Sequence, residues 1–287
     1  MPRNLPRELL AKLSRHLGQE SASIELRWLK QSAQDDVHLH SMVSRRISGE
    51  PLQYILGTQP FGPLNLRVRA PVLIPRPETE DWTLRLAELI RPTPQNPVSL
   101  LDLCTGSGCI PILLCHLWPE GSVHATGVDI AVEAIELAAE NSRLCGVDNP
   151  TGRKNTFTPL MANVRDPGFI HLAALKPPFH VITSNPPYIS AADYEALSPS
   201  VRDFEDPRAL LGDPEPTDSG DGLTFYHEIA KVASSNGFLA DDGVIAVEVG
   251  IGQAEEVAKI LTRRIGLRST AIWNDPWGIQ RVVVGRR

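Results

Sequence analysis

No run of apolar residues in the chain approaches the roughly 20 that a bilayer-spanning helix needs, so no membrane span is expected. Cysteine is scarce. The four present, Cys104, Cys109, Cys115 and Cys145, include no C-x-x-C pair, which removes the usual zinc pattern and leaves buried free thiols in a reducing compartment as the expectation. An excess of positive charge is also missing: 28 Lys and Arg face 34 Asp and Glu, for a net charge of -6, the wrong sign for a surface that wraps nucleic-acid phosphates. His38 and His40 are the closest histidine pair, and no thiol or carboxylate cluster accompanies them, so no metal site is expected. There is no secretory-type start, internal repeat or low-complexity tract. What is present is a globular composition, 42% hydrophobic over 287 residues, enough for a large domain and a small one with an ample core.

Residues 1–57 show apolar positions at helical spacing and no β-rich run: Leu5, Leu9, Leu10, Leu13 and Leu17, then Leu26, Trp28 and Leu29, then Val37, Leu39, Met42, Val43 and Ile47. This predicts a small helical bundle. Its first 17 residues carry Arg3, Arg7, Lys12 and Arg15 against Glu8 alone, which fits either a first bundle helix, the preferred reading, or the remnant of a mitochondrial presequence. Residues 58–75, broken by Gly62-Pro63 and Ala70-Pro71, predict a β-hairpin linker. Residues 76–287 form the third unit. After a helix at about 78–90, strand and helix patterns alternate, with strands at 98–104, 123–130, 156–162, 179–183 and 244–249, the signature of a parallel sheet covered on both faces. A long Pro-, Asp- and Gly-rich loop is expected at 189–222. The last two strands, near 269–273 and 280–284, are joined too tightly for a helical crossover and must pair antiparallel. A seven-stranded, mostly parallel sheet with one reversed strand resembles that of the Rossmann-like class I methyltransferases.

The most specific stretch is Ser184-Asn185-Pro186-Pro187-Tyr188. A short apolar strand stopped by two prolines leaves Asn185 at the carboxyl edge of the sheet, where open α/β folds keep their ligands. The Asn185 side-chain oxygen and the Pro186 carbonyl can accept the two hydrogens of a planar NH2 group, with Tyr188 packed on its plane.

Two further elements suit a nucleoside ligand. Asp102-Leu103-Cys104-Thr105-Gly106-Ser107-Gly108 lies where the first strand of the sheet turns into a helix, so Thr105, Gly106 and Gly108 would bring backbone N–H groups close to a ligand. Pro111 occupies the third position of G-x-G-x-x-G, which disfavours a dinucleotide and favours a ligand with an amino-acid carboxylate, such as S-adenosylmethionine. Asp129 ends the second strand and can accept from both ribose hydroxyls, with Ile130 beside it.

Taken together these elements resemble amino-group methyltransferases of the N-P-P-Y class, which includes protein-glutamine and DNA-adenine enzymes. Further matches point to the HemK/PrmC family of release-factor glutamine methyltransferases. They are Arg46 with Ser48 to Gly57, Leu73 to Glu80, Glu205 to Leu210, Asp221 to Leu223 with Tyr226, Glu248 to Gly250 with Gln253, and Asp275 to Arg281. The resemblance covers essentially the whole chain, including the helical amino-terminal domain that the DNA enzymes lack. It implies an N5-methyltransferase acting on the glutamine of a Gly-Gly-Gln loop in a class I peptide release factor. It also implies S-adenosylmethionine as cofactor, a monomer, and no DNA or membrane partner. Asn185, Pro186 and Tyr188 would act on the amide, with Pro187, Arg76 and Glu78 on the substrate side. Asp102, Thr105, Gly106, Gly108, Asp129, Ile130, Asn163 and Asn185 would hold the cofactor. Cys104 stands where bacterial members usually have Gly, and Asn163 about where many have Asp. With the extended segments 148–155 and 164–178, these departures suggest a eukaryotic, mitochondrial member, a bacterial one being cytoplasmic. Two other functions fit parts of the pattern: an adenine-N6 DNA or RNA methyltransferase, and a cofactor-binding assembly protein without activity.

Overall fold

The computed structural model describes residues 5–148, 154–215, 218 and 220–287. Arg3 and the centre of the extended segment 148–155 therefore lie outside the described residues. Helices α1 (Leu5–Leu17), α2 (Gln19–Ser32), α3 (Asp36–Ile47) and α4 (Leu52–Leu56) make the amino-terminal bundle. Gly18, with φ of 79°, breaks α1 from α2. The Asp35 side chain caps α3 by accepting from His38 N at 2.7 Å. Leu9, Leu13, Leu29 and Met42 fill the bundle core. Trp28 does not join them and is 46% exposed, because a residue two positions from the buried Leu26 is carried some 200° round the helix. Val37, in the first turn of α3, is exposed as well.

The hairpin β1 (Thr58–Phe61) and β2 (Leu64–Arg67) is shorter than the linker read from the sequence; residues 68–76 are irregular. It is packed firmly. Phe61 and Leu66 are fully buried in one cluster with Trp82 of α5 (Pro77–Leu89) and with α6 (Cys109–Leu117). Asn141 of α7 (Val132–Leu144) accepts from Arg67 N and donates to Arg67 O, clamping β2 from the other side.

The main sheet contains β3 (Val98–Leu103), β4 (Val123–Asp129), β5 (Thr156–Met161), β6 (Phe179–Ser184), β7 (Leu239–Glu248), β8 (Ser269–Asn274) and β9 (Gln280–Arg286). Their spatial order is β5-β4-β3-β6-β7-β9-β8. The first five run parallel, and β9 is reversed between β7 and β8. Leu100, Leu101 and Leu103 are fully buried, as a central strand covered on both faces requires. Helix α6 is apolar nearly all round because it is enclosed on every side. One core face is completed by α10 (Thr224–Ser234) and α11 (Ala254–Leu261). Segment 164–178 is not a loose extension, since Val164, Phe169 and Leu175 are built into that core.

The long 189–222 connection carries two short helices, α8 (Ala191–Glu195) and α9 (Pro199–Arg202), and is tied down at both ends of its course. Ile189 and Gly212 bond to Leu210 and Ile189, and Asp206 N donates to Pro71 O at 2.8 Å.

Candidate active site

A cavity of about 300 Å³ opens at the carboxyl ends of β3, β4, β5 and β6. It lies where the chain, after winding from β3 outward to β5, returns to place β6 on the other side of β3, the switch point at which doubly wound sheets bind ligands. Of the residues read from the sequence, Gly106, Asp129, Ile130, Asn163, Asn185 and Pro187 line it. So do Cys104, Glu133, Arg208 and Phe225, which the sequence reading did not place there.

The β3–α6 turn supplies the floor. Gly106 has φ of 55°, and a side chain there would project into open space, so the glycine leaves a cradle that a ligand can enter. Asp129 holds this turn in place: its Oδ2 accepts from Gly106 N at 2.9 Å and its Oδ1 from Ala131 N at 3.0 Å. Its carboxylate offers about four acceptor sites in all, so acceptor capacity remains for a hydroxyl donor. Burial raises its pKa, opposed by these backbone donors. Ile130 is 50% exposed, an apolar face beside the acid. Asn163 turns its Oδ1 to Arg165 N at 2.9 Å, which directs the amide donors elsewhere. An acid for a ribose diol, a glycine cradle and an apolar wall fit the nucleoside of S-adenosylmethionine.

Asp102, Thr105 and Gly108 are not brought to the cavity wall. Asp102 is fully buried and accepts from Thr105 Oγ1 at 2.6 Å and Thr183 Oγ1 at 2.7 Å, tying the turn to β6 from behind. Burial pushes its carboxyl up to about 7, against the two hydroxyl donors. A side chain at Gly108 would collide with Phe157, so this glycine serves close packing of α6 on the sheet.

Asn185 follows β6 directly and is half-buried. Its Nδ2 donates to Thr79 Oγ1 at 3.2 Å, which leaves Oδ1 as the acceptor toward the site. Tyr188 and Pro186 stand outside the cavity lining. Gln253 bonds to Tyr188 O at 3.1 Å, and any side chain at Gly222 would strike that carbonyl. Gly250 likewise leaves room for the Tyr188 ring. Arg76 is engaged by Glu205 at 2.6 Å, a carboxylate with a side chain only 1% exposed, so its guanidinium serves first to fix loop 189–222 against the linker. Glu78 lies near enough to Tyr188 and Glu248 that its charge contributes to raising both their pKa values, although burial is the larger cause.

A release factor glutamine methyltransferase of Geobacter sulfurreducens is 38% identical to this chain over 94% of its length and 91% of the relative's. The chain belongs to the release factor glutamine methyltransferase family. A second member, from Fusobacterium nucleatum, is 36% identical over 86% of this chain, which spans 62% of that longer protein. No family model matches the chain. The fold is that of a methyltransferase from Pyrococcus furiosus, with a TM-score of 0.51 over 78% of this chain and 88% of that one at 14% identity. Methyltransferases of this family take their methyl group from S-adenosylmethionine.

Thr79, Trp82 and Glu248 were not singled out as site residues from sequence, although the last ends a buried strand. An acid closing an apolar run at the carboxyl edge of the sheet was the available signal. Among the described residues no cluster of His, Cys, Asp or Glu is placed to hold a metal ion, and no helix is long and apolar enough to cross a membrane.

Proposed function

We propose that this enzyme methylates the side-chain amide nitrogen, N5, of the glutamine in the Gly-Gly-Gln loop of a class I peptide release factor. The observation that carries the chemistry is Asn185 at the cavity wall, its amide nitrogen turned to Thr79 and its oxygen left to accept. A carboxamide nitrogen is a poor nucleophile because its lone pair is delocalised into the carbonyl. Acceptance of its two hydrogens by Asn185 Oδ1 and the Pro186 carbonyl favours pyramidal nitrogen and aims the lone pair. S-adenosylmethionine supplies an activated methyl group on a sulfonium that leaves readily. The substrate nitrogen gains the carbon, the C–S electron pair stays on sulfur, and one N–H proton, acidified by alkylation, passes to solvent. No side-chain base is assigned. Tyr188 packs on the amide plane, Asp129 accepts from the ribose and Asn163 faces the base. Pro187 closes the wall, and Arg76 and Glu78 edge the path of the incoming loop.

The bundle 1–57 is the substrate-holding domain, 58–75 the linker and 76–287 the catalytic domain of a monomer that binds neither DNA nor membrane. The relatives named above are bacterial, which supports a cytoplasmic enzyme and lends nothing to the mitochondrial reading. Mass spectrometry of the release-factor Gly-Gly-Gln peptide after incubation with enzyme and cofactor should show a gain of one methyl group on glutamine. Asn185→Ala should abolish that gain while leaving the melting temperature near the parent's. Label on duplex DNA in place of the peptide would overturn the assignment.

A further inference from the structure

The carboxamide of an asparagine is nearly symmetric in shape, and a half-turn about its last bond exchanges its oxygen for its NH2 group. For the grip described above, the two orientations are opposite in effect. With Oδ1 toward the substrate, Asn185 accepts from the glutamine NH2. With Nδ2 toward it, donor meets donor and the grip is lost.

The structure contains a chain of hydrogen bonds that distinguishes the two. Thr79 has one hydroxyl proton and donates it to Glu248 Oε2 at 2.6 Å. The same carboxylate oxygen accepts from Trp82 Nε1 at 2.8 Å, and an indole nitrogen is a donor only. Thr79 Oγ1, its proton committed, can only accept, and what it accepts is Asn185 Nδ2. Glu248 and Thr79 are 1% exposed, so water does not compete for these groups. Burial raises the pKa of Glu248, opposed by its Thr79 and Trp82 donors and by the charge of Arg281. The two donors are three positions apart on α5, which therefore presents them from one face.

We propose that Thr79 and Glu248 are positioning residues that fix which face of the Asn185 carboxamide meets the substrate. This rests on the reading of Asn185 as the acceptor of the substrate amide.

The test uses the full-length enzyme with intact release factor under single-turnover conditions at saturating cofactor. Thr79→Val keeps the shape and removes the acceptor; Thr79→Ser keeps the hydroxyl. Thr79→Val should slow transfer about tenfold to a hundredfold, the loss that misplacement of a reacting group brings, with the cofactor dissociation constant unchanged. Thr79→Ser should restore transfer to within about threefold, on the same positioning argument. In the 1H–15N spectrum, the Asn185 side-chain amide should exchange slowly with solvent in the parent and Thr79→Ser proteins and rapidly in Thr79→Val. Parental transfer by Thr79→Val, or equal loss in Thr79→Ser and Thr79→Val, overturns the positioning role. Parental transfer by Asn185→Ala overturns the grip itself, which is a separate failure. If Thr79→Val does not fold, Glu248→Gln decides: its oxygen can accept from Thr79 and Trp82 as before, so it should keep the slow Asn185 exchange, and rapid exchange there overturns the proposal.

Discussion

At the scale of single residues, the site is built from groups held by what lies behind them. Asp102 shows the electrostatic cost. Its carboxyl is pushed up to about 7 by burial, with the nearby charge of Asp129 adding to the effect. The native state therefore binds this proton more tightly than the unfolded chain, in which the group titrates near the ordinary aspartate value. Its contribution to stability is complete below that value and is lost as pH rises toward 7. Asp102→Asn removes the ionisation and keeps an acceptor for a threonine hydroxyl. Urea denaturation at pH 5 and pH 8 should show the variant gaining on the parent by more than about 1 kcal/mol at the higher pH. Cys104 shows a conformational cost instead: with φ of 59° it is the one positive-φ residue other than glycine among those described. Cys104→Gly relieves about 1 kcal/mol of backbone strain and gives back a similar amount in unfolded-chain entropy. Its melting temperature should stay within a few degrees of the parent's, and its cofactor affinity should not fall, because the thiol supplies no hydrogen bond that the fit requires.

At the scale of elements, one of the contacts that join the linker to loop 189–222 is a buried charge. Glu205 sits with its side chain 1% exposed against Arg76 at 31%, and Asp206 N reaches Pro71 O. Arg76→Leu would strand a buried carboxylate, at a cost of about 3 kcal/mol. The double variant Arg76→Leu with Glu205→Leu should recover much of that loss, read as melting temperature. Element boundaries along the sheet were largely visible in the sequence, because central strands such as 98–104 are continuous apolar runs between turn signals. The interior of 189–222 was not visible. Its helices are four or five residues long, too short for periodicity to register, and neither has a buried residue; the loop meets the linker just after them, through Phe204, Glu205 and Asp206.

At the scale of the whole molecule, the cavity at the switch point, proposed as the nucleoside site, would hold a ligand that the unfolded chain does not bind. S-adenosylmethionine at a hundredfold excess over its dissociation constant should stabilise the protein by about 2.7 kcal/mol, seen as a rise in melting temperature that Asp129→Ala abolishes. The sequence by itself determined the layered α/β class, the helical start, the Asn185-Pro186-Pro187-Tyr188 edge and Asp129, because periodicity, proline stops and glycine turns act over a few neighbouring residues. Only the tertiary structure decided which of the named residues face the cavity. It turned Asp102 and Thr105 inward as supports and committed Arg76 to Glu205. It also brought Thr79 of α5 behind Asn185, 106 residues away in the chain, and Glu248 of β7 behind Thr79, 169 residues away. Such pairings follow from burial and strand order, and no local pattern encodes them.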